Sequence, residues 1–194
     1  MHLIYIRFYT KFLRDLGLLK FDEPALKYFT QGIVHGSDGE RMSKSKGNVV
    51  EPFDMINKFG ADTLRLALVS FASPDKDTTW DENVVLGNHK FLNKVFDYFS
   101  NLAPKRDTTQ GGKFGKSDAV IENKLNNTIK EVTEDVENFR HNIAVIKIRQ
   151  LFDSFYEKNI DRKTAEGFLK LLHVYCPYIT EEFWEKFGNK NFIS

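Results

Sequence analysis

The sequence predicts a mostly α fold that closes in an antiparallel helical bundle, and two observations carry that expectation. First, apolar residues step by three or four along the second half of the chain. Ile121, Leu125, Ile129, Val132, Val136 and Phe139 mark a helix over residues 118–139. The pattern returns over 142–158 (Ala144, Ile148, Leu151, Phe152, Phe155) and over 164–175 (Phe168, Leu171, Leu172, Tyr175). Amphipathic helices with short joints stack as antiparallel neighbours. Second, strand signals are scarce: Gly32-Ile33-Val34-His35 reads as a short buried strand just before a basic loop.

The elements follow in order. Leu3, Ile4, Ile6, Phe8, Tyr9, Phe12, Leu13 and Leu16 cover most of a helix surface, so residues 2–16 predict a largely buried helix stopped by Gly17. A chain that opens inside such a helix is expected to be cut from something longer or to pair with a separate polypeptide. Glu23-Pro24 predicts the start of a short helix within 21–31. Pro52 suits a first helical position, and that helix stops at Gly60. Asp62-Thr63 is expected to cap the next helix, through Leu64, Leu66, Leu68, Val69 and Phe71, with Arg65 paired to a carboxylate such as Asp62 or Glu51. Trp80 is expected to anchor a hinge. Val85, Phe91, Leu92, Val95, Phe96, Phe99 and Leu102 make a long helix over 81–103, ended by Pro104. A polar, Gly- and Lys-rich linker over 104–117 follows. Pro177 is expected to break the helix over 164–175, and Thr180 to cap a last one over 181–187.

Composition excludes several classes. The 194 residues hold 28 Lys and Arg against 27 Asp and Glu, a net charge of +1, so any nucleic-acid surface has to be a local patch. The single cysteine, Cys176, excludes an internal disulfide and a cysteine-based zinc site, and fits a reducing cytoplasmic setting. No apolar run reaches the roughly 18 residues of a membrane span.

The chemistry-bearing stretch is Glu40-Arg41-Met42-Ser43-Lys44-Ser45-Lys46-Gly47-Asn48-Val49-Val50. It sets three cations within six residues, interleaves two hydroxyls and closes on Gly-Asn. Cations on a loop at a strand end suit a polyphosphate whose charge changes during reaction. By composition alone, a solvated basic turn is the commoner use of such a cluster.

The order of residues adds a resemblance. Arg41-Met42-Ser43-Lys44-Ser45 resembles the KMSKS signature of class I aminoacyl-tRNA synthetases, with Arg41 in the first lysine position. Lys46-Gly47-Asn48-Val49-Val50-Glu51-Pro52 and Phe59-Gly60-Ala61-Asp62-Thr63-Leu64-Arg65-Leu66 continue it in register. Met1 to Gly17, Ser73-Pro74, Thr79-Trp80, Gly87 to Val95 and His173 to Trp184 are similar to leucyl-tRNA synthetases; isoleucyl and valyl relatives read differently from Pro74 to Val95. The span from Ile33 to Arg41 is shorter than in some bacterial leucyl enzymes.

The resemblance implies a remnant of a Rossmann-like catalytic domain over 1–50, a stem-contact fold over 51–82 and an anticodon-binding-type α-helical bundle over 83–194. It implies part of a leucine–tRNA ligase: ATP-dependent activation of leucine and its transfer to tRNA(Leu). Lys44 then meets the triphosphate and Arg41 supports it, as the catalytic pair. Met42, Ser43 and Ser45 join Lys44 on the nucleotide side. His2 matches a histidine near the aminoacyl-adenylate; a local hydrogen bond at a helix start is its other reading. Mg2+ would arrive with ATP, held largely by phosphate oxygens rather than by protein ligands. The sequence shows no His-x-Gly-His-type motif, nucleotide-binding first half, editing insertion or zinc ribbon, so the expected partners are leucine, tRNA(Leu) and an N-terminal catalytic half, with no membrane. Alone, the chain is expected to be inactive as a ligase. The alternative is a free-standing tRNA-binding module using Lys124, Lys130, Arg140, Lys147 and Arg149 on the tRNA backbone, or an inactive paralogue.

Overall fold

A computed structural model describes residues 2–103 and 113–193. The 104–112 part of the expected linker, with its Pro104 helix stop, lies outside the described residues. The chain divides into two compact units, Met1–Gln31 and Gly32–Ser194.

The first unit holds α1 (His2–Asp15) and an irregular tail. Gly17 ends α1 as expected, at φ 73°, with Gly17 N–H donating to Arg14 O and Leu18 N–H to Leu13 O. The tail is tied back by charge. Arg7 makes two bonds to the Glu23 carboxylate at 2.8 and 2.6 Å, and Arg14 reaches Asp22 at 2.6 Å. The Arg7 hydrogen bond pulls the Glu23 carboxyl down to about 2. Two expectations are corrected here. α1 is not a largely buried helix: Thr10 alone is buried, while Ile4 stands 73% and Phe8 62% exposed. An apolar surface that wraps a helix needs cover on every side, and a short ion-paired tail cannot give it. No helix forms within 21–31, where Glu23 is committed to Arg7 and Lys11 and too few residues remain to offset helix nucleation.

The second unit begins with β1 (Val34–His35), which pairs in parallel with β2 (Thr78–Thr79), Val34 opposite Thr78 and His35 opposite Thr79. β1 is half-buried rather than buried, and a two-residue β2 carries no periodicity that would announce it. Gly32 lets the two backbones meet. Its N–H donates to Pro74 O at 2.7 Å, and a Cβ there would sit 2.0 Å from Lys76 O.

Among the described residues seven α-helices follow: α2 (Pro52–Phe59), α3 (Ala61–Ser70), α4 (Glu82–Leu102), α5 (Ala119–Glu137), α6 (His141–Phe155), α7 (Arg162–His173) and α8 (Pro177–Lys186). Asp81, Asp118 and Asp161 cap α4, α5 and α7 by accepting from Asn83, Ile121 and Thr164 N–H. The core is aromatic. Phe99, Phe152, Phe155, Phe168 and Phe183 are fully buried, with Phe99 and Phe168 stacked at 5.7 Å between centroids. Leu66 of α3 belongs to this same core, so the core extends beyond the last helices to α3. A smaller cluster of Phe59, Ala67 and Val85 is closed by Met55, Phe71 and Trp80, the anchor expected of that tryptophan.

Three local expectations are corrected. Asp62 and Thr63 do not cap α3; Gly60 takes that position, and Asp62 lies inside the helix. Thr180 is likewise inside α8, which starts at Pro177 instead of ending the previous helix there. Among the described residues Arg65 has no carboxylate within ion-pair distance; its Nε donates to Tyr175 O at 3.1 Å. For Asp62 and Arg65 the reason is the same, since their partners lie more than 100 residues away in sequence, whereas Thr180 bonds locally to Cys176 O and Pro177 O.

Candidate functional site

The basic loop leaves β1 through a tight turn. Gly36 N–H donates to Glu40 O at 2.8 Å, and His35 bridges Arg41 across the turn. Asp38 accepts from Glu40 N–H and from Asn48 Nδ2, which together hold its carboxyl below the usual carboxylate range. Asn48 is the hub. Its Oδ1 accepts from Ser43 N–H at 2.8 Å, while its Nδ2 reaches Asp38 at 3.0 Å and Arg41 O at 3.4 Å. Ser43 precedes a single 3-10 turn, Lys44–Lys46, closed by Gly47 at φ 69°.

The three cations have different situations. Lys46 is tied to Glu40 at 3.0 Å. Lys44 and Arg41 are exposed, and among the described residues neither side chain is held in an ion pair or hydrogen bond. Ser43 Oγ and Ser45 Oγ lie 2.9 Å apart, bonded to each other rather than capping the turn. Met42 is half-buried beside them. A braced turn thus presents two free cations and two hydroxyls to solvent, a donor set that fits phosphate oxygens. Among the described residues, no group of three or more His, Cys, Asp or Glu side chains could hold a metal ion. His2 opens α1 in the first unit and is exposed there.

Away from the loop residues, α3 ties into the joint between α7 and α8. Asp62 accepts from Ile179 N–H at 2.8 Å and Tyr178 N–H at 3.4 Å, serving as the missing cap of α8. Burial raises the Asp62 carboxyl despite those donors. One turn on, Arg65 holds Tyr175 O, just past the end of α7. Cys176 is buried beside Asp62, and desolvation pushes its thiol well up.

Sequence reasoning singled out the loop cations and serines but missed Asp38, and it missed Asp77, which accepts from Ile33 N–H at 2.8 Å and fixes β1 beside β2. The Asp-Gly pair at 38–39 was the available signal for the first; nothing local marks the second. Of the cations considered for a tRNA backbone, Arg140 and Lys147 are committed to the buried Asp135 at 2.8 and 2.7 Å.

A cation loop closed by Gly-Asn, a short parallel strand pair and a following helical bundle define a class. Residues 6–81 match the family model for class I tRNA synthetases (I, L, M and V), residues 118–194 match the anticodon-binding domain of tRNA ligase, and the chain belongs to this class of synthetases. Within the class, leucine–tRNA ligases are what the chain resembles along its length. That of Fervidobacterium nodosum is 37% identical over 100% of this chain, and that of Desulfotalea psychrophila 40% identical over 97%. The chain spans about a quarter of their length, 25% and 24%. The LeuRS–tRNA–LeuAMS ternary complex of Agrobacterium radiobacter superposes with a TM-score of 0.81 at 30% identity, over 100% of this chain and 27% of that one. The Mycobacterium tuberculosis methionyl-tRNA synthetase, solved with methionyl-adenylate, shares the fold over 96% of this chain and 44% of that one, at TM-score 0.63 and 17% identity.

Proposed function

We propose that this chain supplies a leucine–tRNA ligase with its phosphate-binding loop and its tRNA-contacting bundle, for ATP-dependent activation of leucine and transfer to tRNA(Leu). The observation that carries the reading is the contrast within the loop: Lys46 is neutralised by Glu40, whereas Lys44 projects unpaired from a turn braced by Asn48 and Gly47. Activation joins the leucine carboxylate to the α-phosphate of ATP and releases pyrophosphate, so negative charge grows on the leaving group. A cation that meets this charge mainly in the transition state lowers the barrier. Lys44 takes that role and Arg41 supports it, its planar fork replacing a point charge. Ser43 and Ser45 exchange their mutual bond for bonds to phosphate. Mg2+ accompanies the nucleotide on phosphate oxygens. Residues 1–50 then act as catalytic-domain remainder, 51–82 as stem contact and 83–194 as bundle, while a nucleotide-binding half from outside this chain completes the leucine and adenylate pocket, with His2 near the adenylate.

The test is reconstitution. Mixed with a polypeptide matching the first half of a leucine–tRNA ligase, the chain restores leucine-dependent ATP–pyrophosphate exchange. Lys44→Ala in that mixture lowers exchange by about two to four orders of magnitude, in the range for lost transition-state charge stabilisation. Leucine affinity stays close to its original value. Normal exchange by the variant, or a loss confined to leucine binding, would sink the role given to Lys44.

A further inference from the structure

One buried carboxylate in this bundle is met by two cations. Asp135 is 2% exposed and is met by Arg140 at 2.8 Å and Lys147 at 2.7 Å. Arg149 of α6 is treated differently. Its guanidinium lies over the Phe91 ring, 4.7 Å from the centroid, and Nη2 donates to Asn88 Oδ1 at 2.6 Å. Its Nε is buried with no hydrogen-bond partner, and among the described residues no carboxylate lies within ion-pair distance. Asp153, one turn further along α6, attracts it only from a distance. Desolvation accordingly pushes the guanidinium down from its ordinary value. Arg149 as a whole is half-buried, and a partly desolvated guanidinium without an ion-paired carboxylate is costly in a way that a helix stitch alone would not need. The Asn88 bond and the Phe91 stack account for the stitch; the unmet charge is left over.

Arg149 borders a cleft of about 260 Å³ lined also by Ser70, Gly87, Asn88, Asn142 and Ile146. A water needs only about 10–15 Å³ of such space, so a larger group fits. Asn142, Val145, Ile146 and Arg149 follow the i, i+3, i+4, i+7 rule of one helix face, and Asn142 is in the first turn of α6. Val84 on the opposite wall is in the first turn of α4. First-turn residues of both helices therefore line the cleft beside Arg149. Gly87 leaves the wall without a side chain, with nothing within 4 Å of where a Cβ would stand. Among the described residues, no acidic side chain lines the cleft.

We propose that this cleft between α3, α4 and α6 is a phosphate-binding site, with Arg149 as the ligand-contacting cation and Asn88 as the residue that positions it. The occupant is a phosphate group, either a backbone phosphodiester of RNA or a free phosphate. The site stands independently of the role given to Lys44.

Two titrations of the 194-residue chain test it. Inorganic phosphate, followed by 15N NMR, shifts the Arg149 Nε–H and the Asn142 and Gly87 amides along one saturable curve. Arg149→Met, which keeps the stem and removes the charge, abolishes that curve and folds at least as stably, since an uncompensated charge is gone. The second titration uses a tRNA transcript. Losing one phosphate contact reduces the slope of log affinity against log salt by about one and weakens binding about five- to tenfold near 0.1 M salt. Lys130→Met, an exposed cation elsewhere on α5, leaves the phosphate curve unchanged. Saturable phosphate shifts with RNA affinity untouched in Arg149→Met would support the site and assign it to a small free phosphate. No saturable shift at Arg149 in the unaltered chain, or shifts that persist in Arg149→Met, would overturn the proposal and leave Arg149 as a helix stitch.

Discussion

The loop separates one cation that holds shape from two that are free. Lys46 and Glu40 form an exposed pair, and such pairs are worth at most about 1 kcal/mol. Lys46→Met is therefore expected to leave the unfolding midpoint nearly unchanged and to lower pyrophosphate exchange far less than Lys44→Ala, which a side-by-side assay of the reconstituted ligase checks. Asn48 is a different case, because one amide serves Ser43, Arg41 and Asp38 together. Asn48→Ala is expected to raise the KM for ATP without moving the KM for leucine, since it frees the backbone that presents Lys44. Hydrogen exchange of the Ser43 amide should accelerate in the same variant; an unchanged rate would show that the turn is held by something else.

Among the elements, α3 carries the most connections per turn. Asp62→Ala removes the only side-chain cap of α8 among the described residues, and a lost cap costs about 0.5–2 kcal/mol. Urea titration of the variant should register that loss. The α5–α6 pair offers a pH test. Burial alone would raise the Asp135 carboxyl, but hydrogen bonds from Lys147 and Arg140 outweigh it and leave the group below its ordinary value. A carboxyl lowered in the folded state adds stability above its unfolded pKa, about 3.9, and loses that contribution as pH falls through the lowered value. Asp135→Asn is thus expected to cost about 1–3 kcal/mol at pH 7, the range for hydrogen bonds to a charged group, with the gap from the unaltered chain closing below pH 4. Denaturant titrations at pH 7 and pH 3 measure both ends.

For the molecule as a whole, the two units differ in what they bury. The second has a continuous aromatic core, whereas α1 shows Leu3, Ile4, Ile6, Phe8 and Phe12 to solvent. Exposed apolar surface of this kind binds ANS, and Ile4→Glu with Phe8→Glu should lower that fluorescence. The bundle was legible in the sequence because Ile121, Leu125 and Val132 mark their helix by spacing alone, and the loop because its residue order matches a known signature. What stayed hidden depends on distant chain. Asp62 and Arg65 were matched with near neighbours, yet their partners are Ile179 and Tyr175; β2 has no pattern to read; and the spacing along α1 reports an apolar surface without saying what covers it. No helix among the described residues is long and apolar enough to cross a membrane.

The hydrogen bond from Ile179 to Asp62 joins residues 117 positions apart. On a ribosome the chain emerges from its beginning, so Asp62 is in the open long before its partner has been made. The turn that presents Lys44 can form early, from neighbours within ten residues. The tie between α3 and the start of α8 forms only when translation has passed Ile179, so a stalled or shortened product would carry a well-shaped loop ahead of an α3 that lacks this tie.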